Sequence, residues 1–240
     1  MIYPCIDLMD GKVVQLVQGK AENKKVEIDD YNEMLSKFEG FEIQVIDLDA
    51  AMGKGNNYSL IREIASKTKI RVGGGVRTKE DVEKILSLGV TKVVVGSPCF
   101  KKFDGKFEID LEFLDSIKQY KDQIIIAIDS IEGEIVINGW KVKTGIKVVD
   151  AVKQLEPYCS EFLATYVDKE GMMQGTDLDL YRDLRNLTKN RITAAGGIST
   201  LDEINQLDQM GVDSALGMAI YSGHLKISDL KEISYNQENI

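Results

Sequence analysis

Two aspartates carry the first chemical signal. Asp7, in Pro4-Cys5-Ile6-Asp7-Leu8, and Asp129, in Ile126-Ala127-Ile128-Asp129-Ser130, each follow directly on a short apolar run. Partial burial at the end of such a run raises a carboxyl pKa toward the neutral range, where a group both takes up and releases protons. The pair is therefore suited to general acid and base work. The competing reading is that each carboxylate merely anchors its loop by accepting backbone N–H groups, and their spacing weakens it. Asp7 and Asp129 are 122 positions apart, and so are Gly11 and Gly133, Gly74-Gly75-Val76 and Gly196-Gly197-Ile198, and Gly89-Val90 and Gly211-Val212. One shared offset, close to half of 240 residues, points to a duplicated half.

The glycines are the second signal. Val72-Gly73-Gly74-Gly75-Val76-Arg77 and Val95-Gly96-Ser97 have counterparts in Ala195-Gly196-Gly197-Ile198-Ser199 and Leu216-Gly217-Met218. Backbone without side chains lets bare N–H groups surround a phosphate, helped by the positive end of a following helix. Two such pairs predict two phosphates, with Gly74, Gly75, Gly96 and Ser97 at one and Gly196, Gly197, Gly217 and Met218 at the other. Arg77 offers a charge-assisted contact beside the first. Asp47 and Thr165 are candidates to orient a substrate hydroxyl or a catalytic carboxylate, although either residue type also caps loops. Trp140, the only tryptophan, sits in the polar-flanked Asn138-Gly139-Trp140-Lys141, where an indole is placed to stack on a planar ring.

These residues need elements to hold them, and the apolar pattern supplies eight pairs. Strands are expected at 2–6, 42–48, 69–72, 92–95, 123–128, 162–167, 191–194 and 214–216. Amphipathic helices are expected at 30–38, 58–66, 79–88, 111–119, 147–155, 178–187, 201–210 and 225–233. Thr78-Lys79-Glu80-Asp81 and Ser199-Thr200-Leu201-Asp202 are helix-start signals. With three prolines and no Ser/Gly-rich linker, residues 1–240 read as one α/β domain, a (β/α)8 barrel built from two similar half-barrels. In that fold the residues just past each strand form the functional face, and the first and fifth strands face each other across the mouth, which sets Asp7 opposite Asp129. The segments 19–29 and 131–145 read as lid loops.

Composition narrows the partners. A formal net charge of −9 argues against a general nucleic-acid or anionic-membrane binder. The chain has no apolar run of the roughly 18 residues needed to span a bilayer and no secretory layout at its start, so the expected address is cytoplasmic. Cys5, Cys99, Cys159 and the lone His224 provide neither a disulfide framework nor a zinc site, so no metal is expected.

Pro4-Cys5-Ile6-Asp7-Leu8-Met9-Asp10-Gly11-Lys12-Val13-Val14 followed by Leu16-Val17-Gln18-Gly19 is similar to the opening of the histidine-biosynthesis isomerases that act on ProFAR. Residues 72–77, Asp129 with Gly139-Trp140, residues 195–199 and Gly217-Met218-Ala219-Ile220-Tyr221 continue the resemblance in the same order over nearly the whole chain. It implies a cofactor-independent Amadori rearrangement of the aminoaldose ProFAR to the aminoketose PRFAR, with Asp7 as base and Asp129 as acid. The partner it implies is a small molecule with a phosphate at each end, bound by a monomer. Gln18, Gly19 and Gly175 complete the candidate substrate contacts.

The chain departs from the family's pattern at three places. Gln15 stands where arginine is common. After Thr165 the chain reads Tyr166-Val167-Asp168-Lys169-Glu170-Gly171, without an aspartate directly after the threonine. Glu170 replaces an aspartate that some members use as an acid, so the acid is open between Asp129 and Glu170. A sister barrel, the cyclase subunit of imidazole glycerol phosphate synthase, shares the Pro-Cys-x-Asp opening and two facing aspartates. An isomerase that also accepts phosphoribosylanthranilate is a further reading. A phosphate sensor without turnover is the non-enzymatic one, and it gives the carboxylate pair no use.

Overall fold

A computed structural model describes residues 1–17, 20–28 and 31–238. Eight parallel strands alternate with helices: β1 (Ile2–Met9), β2 (Ile43–Asp47), β3 (Ile70–Gly73), β4 (Lys92–Val95), β5 (Ile124–Ala127), β6 (Glu161–Thr165), β7 (Arg191–Ala195) and β8 (Asp213–Leu216). Each pairs with its sequence neighbour, and β8 returns to β1 through Ile2↔Ser214, Tyr3↔Ala215 and Pro4↔Leu216, which closes a (β/α)8 barrel. The strands are short β-branched runs buried on both faces, as a sheet covered by helices requires.

The helices outside are α1 (Tyr31–Lys37), α2 (Tyr58–Ala65), α3 (Lys79–Leu86), α4 (Leu111–Ile117), α5 (Val148–Leu155), α6 (Leu178–Leu187), α7 (Leu201–Gln209) and α8 (Ile227–Glu238). Each of α2 to α7 turns an apolar stripe inward, for example Ile61 and Ile64 of α2 and Ile204 and Leu207 of α7. Capping boxes open α3 (Thr78 with Asp81) and α7 (Thr200 with Glu203).

The sequence pattern located all eight pairs and missed the β structure between them. β1 runs on through Asp7 to Met9 because those residues pair antiparallel with Lys12–Val17, across a turn in which Asp10 (φ 53°) and Gly11 (φ 72°) are left-handed. Lys12–Val17 pairs in turn with Lys20–Ile28, so this part of the expected first lid is a strand, while Gly19 and Asp29 lie outside the described residues. The second expected lid holds a three-stranded antiparallel sheet, Ser130–Ile131, Glu134–Ile137 and Val142–Lys147. A further hairpin joins Phe100–Phe103 to Lys106–Ile109. These strands are short and rich in Lys and Glu, so their apolar alternation was too weak to register.

Inside the barrel the layers change character along the axis. Val94, Ile125, Leu163 and Ala215 pack together with the small Cys5, Ala127 and Ala195, which leaves room toward the mouth. Toward the opposite end the interior is ionic. Glu161, fully buried, pairs with Arg71 and with Lys92 Nζ (3.0 Å) and accepts from Thr193 Oγ1 (2.6 Å). The Arg71 guanidinium also lies 3.4 Å from the Tyr3 ring centroid. Burial pushes the Glu161 carboxyl up, but Arg71, Thr193 and Lys92 together hold it below its ordinary value. Removing this one anion strands two cations, so Glu161→Leu should destabilise the fold by about 3–5 kcal/mol in denaturant unfolding. A loss under about 1 kcal/mol would show that the cluster does not hold the barrel together.

Candidate active site

The C-terminal ends of the strands surround a cavity of about 650 Å³. Asp7, Asp129, Thr165 and Glu170 all line it. Asp7 is held late in β1. Asp129 follows β5 by two residues, and its Oδ2 accepts the Trp140 indole N–H at 2.8 Å. Burial raises the Asp129 carboxyl, while the nearby Thr165 and Trp140 donors offset part of that. Its Oδ1 is buried without a hydrogen-bond partner among the described residues. Trp140 reaches Asp129 from a left-handed run, Asn138 (φ 57°), Gly139 (φ 65°) and Trp140 (φ 65°). That run is tied to the loop after β4, because the Asn138 amide donates to Ser97 Oγ at 2.9 Å.

Glu170 is the group whose chemistry the fold changes most. Desolvation raises its carboxyl pKa, and the charges of Asp7 and Asp129 raise it further, to about 7. Three carboxyl groups thus share one cavity, and the one on the β6–α6 loop keeps its proton to near neutrality. Asp129 and Glu170, between which the sequence left the acid open, are thus both carboxyl groups with raised proton affinity.

The glycine turns line the same cavity on two sides, Gly73 to Val76 with Gly96 and Ser97, and Gly196 to Ile198 with Gly217 and Met218. Gly96 (φ −131°, ψ −92°) and Gly217 (φ −110°, ψ −94°) share one unusual backbone conformation. Each opens a short helical turn, Ser97–Cys99 or Met218–Tyr221, that has no side-chain cap. The capping boxes, by contrast, place Asp81 and Glu203 over the starts of α3 and α7. The expected help from those helix ends is therefore already taken up by carboxylates, and the uncapped turns after β4 and β8 are the open donors. Steric demand explains the remaining glycines. A Cβ on Gly74 would stand 2.3 Å from the Asp47 carbonyl oxygen, and one on Gly196 would stand 2.4 Å from that of Tyr166. Gly75 and Gly197 are hemmed in likewise by the backbones of Ala50 and Gly175.

Other expected contacts fall elsewhere. Asp47 does not line the cavity and is almost fully buried. Its Oδ1 accepts from the Ala50 amide (3.1 Å) and Asn57 Nδ2 (2.7 Å), and its Oδ2 accepts from the Asn57 amide (2.7 Å), so it caps Leu48–Met52. Gly175 lies behind the wall, with its amide on the Gly197 carbonyl (3.1 Å). Gln18 and Gly19 lie outside the described residues. Arg77 lines the cavity, but its guanidinium also donates to the carbonyls of Gly75, Ala50 and Ala51. Sequence reasoning passed over Asn57, which is buried and joins Asp47 and Asp49 to the Gly11 amide (2.9 Å). Its partners are the two aspartates at the other end of its own loop and an amide of the Asp10-Gly11 turn, a pairing its immediate sequence neighbours do not mark.

A barrel with titrating carboxyl groups beyond the C-terminal ends of its strands is built as an enzyme. Within that class, the chain belongs to the histidine biosynthesis protein family, whose model matches residues 1–226. It is 36% identical to the 1-(5-phosphoribosyl)-5-((5-phosphoribosylamino)methylideneamino)imidazole-4-carboxamide isomerase of Methanocaldococcus jannaschii, covering 98% of this chain and 100% of that one. Proteins of the same name from Cenarchaeum symbiosum (36% identical, 94% and 97% covered) and Aquifex aeolicus (32%, 96% and 97%) are also similar.

The carboxyl crowding has a thermodynamic signature. Glu170 titrates near its ordinary 4.5 when unfolded and about 7 when folded, so between these values the native chain holds more protons. Stability therefore falls as pH rises through this window. Glu170→Gln removes the slope. It should leave stability near wild type at pH 4 and raise it by on the order of 3 kcal/mol at pH 8 in urea unfolding. A variant no more stable than wild type at pH 8 contradicts the buried, crowded carboxyl.

Proposed function

We propose that this protein is the isomerase of histidine biosynthesis that converts ProFAR, the compound its relatives are named for, to PRFAR by an Amadori rearrangement. One observation carries the reading: Glu170 shares a cavity with Asp7 and Asp129, between two matching sets of bare glycine turns, and burial with those two charges raises its carboxyl to about 7. A substrate with a phosphate at each end spans those turns, and its aminoaldose ribose then lies over the carboxyl groups.

Glu170 donates its proton to the furanose ring oxygen as the C1′–O bond breaks, which leaves an iminium at C1′. Asp7 removes the C2′ proton, the electron pair moves toward nitrogen, and an enolamine forms. Tautomerisation to the ketone at C2′ completes the aminoketose, with no net gain or loss of atoms or electrons. Asp129, its Oδ2 on the Trp140 indole N–H, lies beside both steps and, when ionised, favours the protonated form of Glu170. The face of the Trp140 ring is available to stack on the imidazole carboxamide. The reading includes a cytoplasmic enzyme working as a single chain on a free metabolite, with no nucleic acid, metal or cofactor. Its acidic charge supports this, and among the described residues no helix is long and apolar enough to cross a membrane.

The test is turnover of purified protein with ProFAR, with PRFAR detected through an added glutaminase and cyclase pair. Asp7→Asn should lower kcat at least about a hundredfold and leave KM within a few-fold, because a base acts on the transition state. Equal turnover in that variant would remove the base assignment. No turnover by the wild type, together with tight binding of a doubly phosphorylated ligand, would move the reading to the cyclase or the sensor.

A further inference from the structure

The loop that carries Glu170 runs from Tyr166 to Asp177 and is docked at both ends on the glycine loop after β7. At its start the Tyr166 amide donates to the Ala195 carbonyl (2.9 Å), and Gly196 packs on the Tyr166 backbone. At its end the Gly175 amide donates to the Gly197 carbonyl (3.1 Å), and the Thr176 amide donates to Glu203 Oε1 (2.8 Å). Between these feet Gly171 (φ 69°), Met173 (φ 53°) and Gly175 (φ 85°) are all left-handed, a course that needs outside support.

Glu203 belongs to α7, and its duty there is already met by one oxygen. Oε2 accepts from the amides of Ser199 (3.0 Å) and Thr200 (3.1 Å) and from both hydroxyls, closing the helix start. The other half-barrel supplies the comparison. Asp81, at the same position of α3, accepts from the Arg77 amide (2.8 Å) and the Thr78 amide (2.9 Å), both within its own segment. One extra methylene lets Glu203 cap its helix and also reach a neighbouring loop.

We propose that Glu203 is a positioning residue, whose bond to the Thr176 amide clamps the Glu170-bearing loop against the glycine loop and keeps the acid inside the site. The inference rests on the reading of Glu170 as the acid. Burial pushes the Glu203 carboxyl up, but the Ser199 and Thr176 amides with the Thr200 and Ser199 hydroxyls outweigh it, so the clamp is ionised across the working range. The ionisable groups close to Glu170 are Asp7 and Cys5 from β1, Asp129 from the end of β5 and Tyr181 from α6. Tyr181 meets the clamp residue, accepting from Thr176 Oγ1 at 3.4 Å, a bond that Glu203→Asp leaves in place, so that change reaches Glu170 through the loop's position.

Glu203→Asp separates the two duties, because aspartate restores the cap as Asp81 has it and falls short of Thr176. The experiment is the pH dependence of kcat/KM for wild type, Glu203→Asp, Thr176→Pro and Glu170→Gln, each with a thermal melt. Thr176→Pro removes the N–H from the other side of the bond. Both clamp variants should move the alkaline limb down by about 0.5 pH unit or more, as the acid gains water. Glu203→Asp should melt within about 4 °C of wild type. An unmoved limb in both variants, at any melting temperature, overturns the clamp and leaves Glu203 a helix cap only. Persistence of the alkaline limb in Glu170→Gln is a different failure, since it removes Glu170 as the acid.

Discussion

Three carboxyl groups crowd one barrel mouth, where each ionisation opposes the next, and the rest of the site is arranged around that constraint. Each charge raises the cost of the next, and burial removes the water that would screen them. Desolvation raises the carboxyls of both Glu170 and Asp129, and at Glu170 the charges of Asp7 and Asp129 add to it. The indole of Trp140 and the donors of Thr165 offset part of the rise at Asp129, whereas burial and like charge act together on Glu170. An acid and a base at the same pH require that difference.

Holding the groups there falls to loops, and the loops are interlocked by glycines that have no room for a side chain. The two half-barrels repeat the device: Gly74 lies on the Asp47 backbone as Gly196 lies on that of Tyr166. They differ in what is attached. In the first half, Asn57 and Asp49 tie the loop after β2 to the Asp10-Gly11 turn, which fixes the hairpin that continues from Asp7. In the second half, Glu203 ties the loop after β6 to the one after β7. Asp7 and Glu170 are therefore supported by separate networks on opposite sides of one cavity, joined by a barrel whose far end is pinned by Arg71, Lys92 and Glu161.

Much of this was legible in the sequence because it is local or repeated. Buried strands show as β-branched runs, helix starts show as Thr-x-x-acid, and the shared 122-residue offset brought Asp7 and Asp129 together before any coordinates. What stayed hidden depends on partners distant in sequence. Asp47 has the look of a site residue and is a cap, because Asn57 comes round to meet it. Gly75 and Gly197 read as phosphate ligands, yet their missing Cβ atoms are demanded by neighbouring backbone as well. The raised pKa of Glu170 follows from burial and then from the charges of Asp7 and Asp129, and Lys169-Glu170-Gly171 alone carries no sign of it.

The central claim is the protonated Glu170, and it is open to direct observation without substrate. Carbon-13 labelling of glutamate side-chain carboxyls, with Glu170→Gln to assign the resonance, gives its titration by NMR in the folded protein. A midpoint near the value of about 7 is what the carboxyl crowding requires. A midpoint at the ordinary value of 4.5 would contradict it, because Glu170 would then be ionised at neutral pH and unable to donate the proton that opens the ring.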